Sequence, residues 1–389
     1  MLLFEDLDAD TREMRDAVRE FAQREVMPIA QKLHLASEEL PDTMIAKMQE
    51  MGIYGISTPV ESGGLGMGAM GAAVVTEELS RAWMSAGYLP LYNWALIRML
   101  QQFGTEAQKT KWLPGLISGD VQTAHAGTEP QAGSDAANIS TFATRDGSRY
   151  LVSGSKLWCT HANRADLLTV MCRTSKERGH GSISMLLLEK PRGEQFVPPL
   201  LTGSRIDTIG ARGIHSYALL FDGYEVPEEN LLGGIEGQGF KHLMSAYEFA
   251  RMHCAFASIG VAQAAYEAAL DYSKTRVQFG KPISEFQAIR HKLADMATRI
   301  TAARQLGYMV ARRIDTGVRS DLEAGMAKLF YSEMVQYVCH EAVQIHGGVG
   351  FAVDSPVKRF WCDAGLSSIG DGTSEIQREV IARRLLQET

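Results

Sequence analysis

The sequence has few cysteines, and they are not placed as metal ligands or as a redox pair. The five cysteines are Cys159, Cys172, Cys254, Cys339 and Cys362. Successive gaps of 13, 82, 85 and 23 residues contain no C-x-x-C pair, which excludes a zinc knuckle. Scattered thiols are typical of a reduced, cytoplasmic protein, and the histidines show no metal-ligand spacing either. We therefore predict a cytoplasmic chain without a metal site.

Long apolar runs and an excess of positive charge are also missing. No run of eighteen apolar residues occurs, so we predict no membrane span. Residues 1–6 reach acidic side chains at once and lack a basic segment followed by an apolar one, so we predict no secretory signal. With 39 basic and 46 acidic residues the formal net charge is −7, which excludes a general nucleic-acid binder.

The residues that are present divide the chain into three parts by their periodicity. Apolar residues recur at helical intervals up to about residue 120, short β-branched runs follow from about 139, and the helical period returns after Pro227. Helix, sheet and helix in sequence is the segregated pattern of an α+β protein. We predict an N-terminal helical domain over 1–121, a middle β domain over 122–231 and a C-terminal helical domain over 232–389. Helices predicted in the last domain span 240–277, 284–316, 320–346 and 372–386.

The glycine-rich segment from Gly66 to Gly71 matches G-x-G-x-x-G, the fingerprint of dinucleotide-binding folds. That fingerprint needs a strand before it, whereas residues 59–64 have the composition of a loop. It also needs an acidic residue about twenty positions later, and residues 84–92 contain none. We interpret the segment as a glycine loop before a packed helix.

Four other segments have side chains typical of ligand contacts. They are residues 128–135, residues 154–161, residues 276–287 together with 344–351, and residues 369–378. Trp158 and Thr160, two apart in a strand, can flank a planar ring and hydrogen-bond its edge. Backbone N–H groups at the helix start after Gly372 favour an anion such as phosphate. Taken singly, each segment also has a plain structural interpretation as a polar turn, sheet packing or an ordinary helix end.

Together, in this order and spacing, the segments resemble the acyl-CoA dehydrogenase family of flavoproteins over nearly the whole chain. The matching motifs run from Glu61-Ser-Gly-Gly through Thr-Glu-Pro and Gly-Ser-Asp to Arg-x-x-Phe-Gly and Gly-Thr-Ser-Glu-Ile-Gln. The resemblance implies a β-barrel-like middle domain, a C-terminal four-helix bundle, non-covalent FAD and a homotetramer built from two dimers. It also implies α,β-dehydrogenation of an acyl-CoA thioester, a role in acyl-CoA metabolism, and an electron-transfer flavoprotein as the electron acceptor.

Carried over position by position, the resemblance implies contacts to FAD and to the acyl-CoA. The implied FAD contacts are Thr128, Ser134, Trp158, Thr160, Arg276, Phe279, Gln287, Gln344, Gly348, Thr373 and Glu375. Of these, Thr160 is expected near flavin N5. Five others are expected to reach FAD across a dimer interface: Arg276, Phe279, Gln287, Gln344 and Gly348. The implied substrate contacts are Ser134, Glu248, Arg251 and Gly372.

The catalytic base is where this sequence departs from the family pattern. Most members carry Glu before Gly-Thr, and this chain carries Asp371. A second subgroup keeps its base directly before the arginine that matches Arg251, and that position is Ala250. Asp371 is therefore the candidate base, with a helix cap as the structural alternative. Glu248 is a weaker alternative, because two residues along a helix turn through about 200° and Glu248 and Ala250 cannot face the same way.

The altered base also leaves other functions open. The same fold could carry out enoyl-CoA reduction, desulfination of a CoA thioester or flavin-dependent monooxygenation. A non-catalytic protein that binds FAD or acyl-CoA is a further alternative.

Overall fold

Helices form both ends of the chain and a curled sheet forms its middle, as the periodicity predicted. The computed structural model describes residues 7–177, 179–191 and 193–387. The first six residues, for which we predicted no secretory signal, lie outside the described residues. No helix in the described part of the chain is both long and apolar enough to cross a bilayer. The helix–sheet–helix order is confirmed, whereas the predicted boundaries near 121 and 232 stay predictions.

Six α-helices form the N-terminal part of the chain that the structure describes. They are α1 (Ala9–Phe21), α2 (Met27–Ala36), α3 (Asp42–Glu50), α4 (Gly68–Ala82), α5 (Met84–Phe103) and α6 (Glu106–Ser118). α1 begins where the Asp8 carboxylate accepts a hydrogen bond from the Thr11 N–H at 2.7 Å, which satisfies one free backbone donor. α5 continues through Pro90 and is buried along most of its length.

Among the described residues, seven strands form the main sheet. They are β1 (Thr123–Ala126), β2 (Phe142–Asp146), β3 (Arg149–Thr160), β4 (Leu167–Arg173), β5 (Ile183–Glu189), β6 (Leu201–Ile206) and β7 (Ser216–Pro227). The path β1-β4-β2-β3-β7-β6 is completed by β5, which pairs with the free edge of β4. β2 and β3 form a hairpin, with Gly147 at φ 62° in its turn. Register shifts between Val152 and Gly154 and between Lys156 and Cys159 interrupt the pairing of β3 with β7.

Long helices return after the sheet, close to the predicted bounds. They are α7 (Gly239–Thr275), α8 (Gln287–Asp315) and α9 (Asp321–His346), followed by α10 (Gly348–Phe351), α11 (Pro356–Ala364) and α12 (Ser374–Gln387). A small hairpin of β8 (Val277–Gln278) and β9 (Lys281–Pro282) connects α7 to α8.

Helices from both ends of the chain share one apolar core, in which α4 and α5 pack on α7. A second core lies in the sheet, between residues of β1, β3, β4, β5 and β7. A third core joins α5 and α6 to β4, β5 and the first turns of α7. The N-terminal part of α5 and the middle of α7 therefore lie side by side next to the end of the sheet.

The Gly66–Gly71 segment follows a short turn and no strand, as its interpretation as a loop requires. α4 starts at Gly68, and the Asp315 carboxylate accepts hydrogen bonds from the backbone N–H groups of Ala69 at 2.6 Å and Met70 at 3.2 Å. A Cβ on Gly68 would lie 2.5 Å from that carboxylate. The anion at this helix start is thus a side chain of the protein itself.

Candidate active site

Asp371 lies in the loop between α11 and α12, with its carboxylate facing the interior. Its backbone φ of 53° is in the left-handed region, which Asp tolerates better than most residues, and Gly372 follows at φ 93°. The Thr373 hydroxyl, not the Asp371 carboxylate, accepts the Ile376 N–H at the start of α12, at 3.3 Å. Gln377 donates its amide to the backbone oxygens of Asp371 at 3.3 Å and Gly372 at 3.1 Å. Asp371 is therefore held by its backbone, and its side chain is left for other contacts.

The Asp371 carboxylate lies among neutral side chains. The Cys254 thiol on α7 donates to Asp371 Oδ2 at 2.7 Å. Burial and the Asp371 charge raise the pKa of Tyr88 on α5 well above its ordinary value, and they raise the pKa of Tyr247 to about 12. The thiol and both phenols therefore remain protonated beside the carboxylate.

Two buried cations complete this group. Arg251 on α7 and Lys328 on α9 are both buried, and burial lowers the pKa of each although the Asp371 charge opposes the change. Lys328 Nζ and Arg251 Nε have no hydrogen-bond partner among the residues that the structure describes. Unpaired buried donors are costly, so their presence beside a carboxylate is typical of a site that binds a polar ligand.

The alternative base, Glu248, faces a different part of the chain. Its carboxylate is half-buried and accepts the Ser320 N–H, just before α9, at 3.4 Å. Burial raises its pKa. Ala250, at the position of the second subgroup's base, is buried and has no ionisable group.

The end of β3 provides an open face next to Asp371. Trp158 has φ 59° and is 52% exposed, and Thr160 Oγ1 lies 2.8 Å from Ser216 Oγ on β7. Burial and the nearby Asp371 charge raise the pKa of Tyr92 on α5, which lies beside Thr160, so α5 links the strand to the Asp371 group. Because the bulge interrupts the strand here, the shared face of Trp158 and Thr160 does not follow from simple alternation.

The loop that carries Thr128 and Ser134 is anchored by a buried ion pair. The Lys156 ammonium donates to Glu129 Oε1 at 2.8 Å and to the Gly127 oxygen at 3.0 Å. Both side chains of the pair are fully buried. The Thr128 oxygen accepts the Leu157 N–H at 2.8 Å, while Ser134 is exposed. Glu129 therefore has a structural role, and it fixes the backbone on either side of the open face.

The remaining predicted FAD contacts form a second group at the other end of α7. Its members, all exposed, are Arg276, Phe279, Gln287, Gln344 and Gly348. The Tyr272 ring, in the last turn of α7, stacks on His346 at 4.3 Å and joins the two segments that carry them. Arg276 follows Cys254 by 22 residues, or about 33 Å along a helix axis. Thr373 lies beside Asp371, and Glu375 is exposed on α12.

Sequence reasoning missed Cys254, Tyr88, Tyr92 and Lys328. Cys254 lies three residues after Arg251 and shares its helix face, so the prediction for Arg251 could have indicated Cys254 as well. Tyr88 and Tyr92 lie on α5 outside any of the matching motifs, and their place beside Asp371 depends on how α5 packs against α7.

The open face fits a planar, polar-edged cofactor. Trp158 exposes half of its ring beside the Thr160 and Ser216 hydroxyls, so an aromatic wall and hydrogen-bonding groups lie together. The described residues contain no group of three or more His, Cys, Asp or Glu side chains placed to hold a metal ion. These residues match an isoalloxazine ring better than a metal centre.

Comparison with known proteins identifies the family. Models of the acyl-CoA dehydrogenase N-terminal, middle and C-terminal domains match residues 8–120, 124–224 and 237–386. A (2S)-methylsuccinyl-CoA dehydrogenase of Cereibacter sphaeroides is 43% identical over 384 residues, which are 98% of this chain and 70% of that protein.

Two solved structures have the same fold. Butyryl-CoA dehydrogenase from Megasphaera elsdenii is 33% identical, with a TM-score of 0.93 over 99% of this chain and 100% of that one. A chain from work on the electron transferring flavoprotein of Acidaminococcus fermentans and flavin-based electron bifurcation is 36% identical, with a TM-score of 0.94 over 99% and 100%. The chain belongs to the acyl-CoA dehydrogenase family and is an FAD-dependent flavoprotein oxidoreductase.

Proposed function

We propose that this protein dehydrogenates an acyl-CoA thioester between its α and β carbons, with Asp371 as the base. The observation that carries the proposal is that the Asp371 carboxylate turns toward α7, where it accepts a hydrogen bond from the buried Cys254 thiol, while Thr373 supplies the cap of α12. Asp371 removes the α-proton, and FAD, when bound, supplies the hydride acceptor for the β-hydrogen. The electron pair of the broken α C–H bond becomes the new π bond, and the β-hydrogen leaves with its own electron pair as hydride.

The buried cations support this chemistry. Removal of the α-proton places negative charge on the thioester, and preorganised positive groups stabilise such charge in a water-poor site. Arg251 and Lys328 are buried, have unpaired nitrogen atoms and interact with Asp371. They would favour the charge that develops as the proton leaves.

The aromatic packing behind Asp371 favours a short acyl group. The Tyr88 ring meets His253 edge-on at 5.2 Å, and His253 in turn lies 5.8 Å from Trp94. His253 Nε2 is hydrogen-bonded to the Gly87 oxygen at 2.8 Å, which fixes the ring. Space beyond Cys254 is therefore filled by packed side chains. The named substrate of the Cereibacter sphaeroides relative, (2S)-methylsuccinyl-CoA, is a short acyl-CoA and a rational first probe.

We also propose that the chain acts as an oligomer and delivers electrons to an electron-transfer flavoprotein. Arg276 lies about 33 Å along the axis of α7 from Cys254, which contacts Asp371. This separation supports the proposal that the Arg276 group contacts the FAD of another copy of the chain, and not the FAD beside its own Asp371. The likeness to a chain studied with an electron transferring flavoprotein supports the acceptor. A homotetramer would elute with four times the mass of the chain.

Anaerobic mixing of the FAD-loaded protein with butyryl-CoA, (2S)-methylsuccinyl-CoA and palmitoyl-CoA tests the function. We expect the short esters to bleach the flavin quickly and palmitoyl-CoA to bleach it slowly. Asp371→Asn should lower the rate of flavin reduction about 10³- to 10⁴-fold, since it removes the base without changing the size of the side chain.

Glu248→Gln is the matched control, because it neutralises the alternative carboxylate, and it should retain fast reduction at saturating ester. If Asp371→Asn reduces as fast as the wild type, the base assignment is wrong. If no ester bleaches the wild-type flavin, dehydrogenation is excluded and enoyl-CoA reduction, oxygen-dependent chemistry or non-catalytic binding takes its place.

A further inference from the structure

Cys254 is the one described side chain that hydrogen-bonds the Asp371 carboxylate, and residues 7–177, 179–191 and 193–387 contain no second donor to it. The contact joins the middle of α7 to the loop before α12, across 117 residues of sequence. Cys254 is 4% exposed, and burial together with the Asp371 charge raises the pKa of its thiol well above the ordinary value. The sulfur therefore keeps its proton and acts as the donor, with the carboxylate as the acceptor.

Packed side chains lie behind the thiol. Tyr88 lies beside Cys254, and both are buried. Tyr88 is held against His253, whose ring is fixed by the Gly87 oxygen. The thiol therefore lies between the Asp371 carboxylate and fixed residues of α5 and α7.

The backbone of Asp371 is fixed by other contacts, which do not involve the thiol. Ser258 Oγ lies 2.9 Å from Ser367 Oγ, and Ser332 Oγ donates to the Ser367 oxygen at 2.6 Å, which ties the turn before Asp371 to α7 and α9. Gln377 holds the backbone oxygens of Asp371 and Gly372 from the other side. Loss of the thiol would therefore free the side-chain torsions of Asp371 and leave its loop in place.

We propose that Cys254 is a positioning residue for the base: its thiol orients the Asp371 carboxylate toward the α-carbon of the bound thioester. The proposal rests on the assignment of Asp371 as the base. An aspartate reaches one methylene less far than a glutamate, so its carboxylate has less freedom to find the α-proton and gains more from a fixed orientation. A thiol is a weak donor, which orients the carboxylate with little loss of its basicity.

Cys254→Ala and Cys254→Ser in the FAD-loaded protein test the proposal. With the faster of butyryl-CoA and (2S)-methylsuccinyl-CoA, we expect Cys254→Ala to lower the rate constant of flavin reduction about 10- to 100-fold with the ester's dissociation constant unchanged. Cys254→Ser keeps a donor at the same place and should recover the rate to within about threefold of the wild type. The control is Cys339→Ala, which removes a different buried thiol, on α9, and should behave as the wild type.

The S–H stretching band gives a readout that does not need turnover. In infrared difference spectra, the band lost in Cys254→Ala should lie at lower frequency than the band lost in Cys339→Ala, and it should move up in Asp371→Ala. A Cys254 band at the frequency of the Cys339 band, or a Cys254→Ala enzyme as fast as the wild type while Asp371→Asn is inactive, would overturn the proposal alone. A fast Asp371→Asn enzyme would instead overturn the proposed function.

Discussion

This molecule has two regions in which a carboxylate lies near a buried lysine. The two regions differ in whether the lysine and the carboxylate find hydrogen-bond partners within the chain. Glu129 and Lys156 form a closed pair: the carboxylate also accepts from Gln131 at 2.6 Å, from the Ser140 N–H at 2.6 Å and from the Thr141 N–H at 2.9 Å. In the Asp371 region, the interacting lysine, Lys328, has no hydrogen-bond partner among the described residues. The closed pair stabilises the fold, whereas the open group leaves donors for a ligand.

Lys156→Met should have the largest effect on stability. It removes one partner of a fully buried pair and leaves the Glu129 charge uncompensated, which costs about 3–5 kcal/mol of unfolding free energy. Equilibrium denaturation of the FAD-loaded protein measures this loss. Asp371→Asn, at the half-buried carboxylate of the open group, should change the unfolding free energy by less than about 1 kcal/mol.

The acid side of the stability profile provides a check on the same pair. Burial would raise the pKa of Glu129, but the Lys156 charge and the hydrogen bonds outweigh it and lower that pKa to about 2. The ordinary value is 4.5, so the stabilisation is fully present above about pH 4.5 and is lost as the pH falls toward 2. Glu129→Gln should flatten the profile in this window, and an unchanged slope would show that the pair is not closed in solution.

Lys328→Met should have the opposite sign to Lys156→Met. It replaces a buried ammonium that is 1% exposed and unpaired with an apolar side chain of similar length, which should raise the unfolding free energy by about 1–3 kcal/mol. The same variant should reduce the flavin more slowly, because a cation near the developing charge is lost. A loss of stability like that of Lys156→Met would show that Lys328 is paired within the chain.

The sequence predicts the long, regular elements of this structure better than the contacts of the candidate active site. The four helices predicted in the C-terminal part match α7, α8, α9 and α12 to within three residues, because their apolar period is regular, whereas the short α10 and α11 were not predicted. β1 lies before residue 139, where the predicted strand period begins, because its four residues carry little alternation. Asp371 could be identified from its motif, but its contact with Cys254 depends on how α7 packs against a distant loop.

Thr373→Ala and Asp371→Ala should have the smallest effects, and together they decide what the loop before α12 does for stability. In the structure the Thr373 hydroxyl caps the helix, so its removal should cost about 1 kcal/mol, whereas Asp371→Ala should cost less, because no helix N–H donates to that carboxylate. Both variants should be compared without FAD by equilibrium denaturation, since Thr373 is also a proposed FAD contact. A larger loss of unfolding free energy in Asp371→Ala than in Thr373→Ala would show that the carboxylate is the cap and has a structural role like that of Glu129. The predicted order instead leaves the Asp371 side chain free of a structural role, as a base that must exchange a proton with its substrate requires.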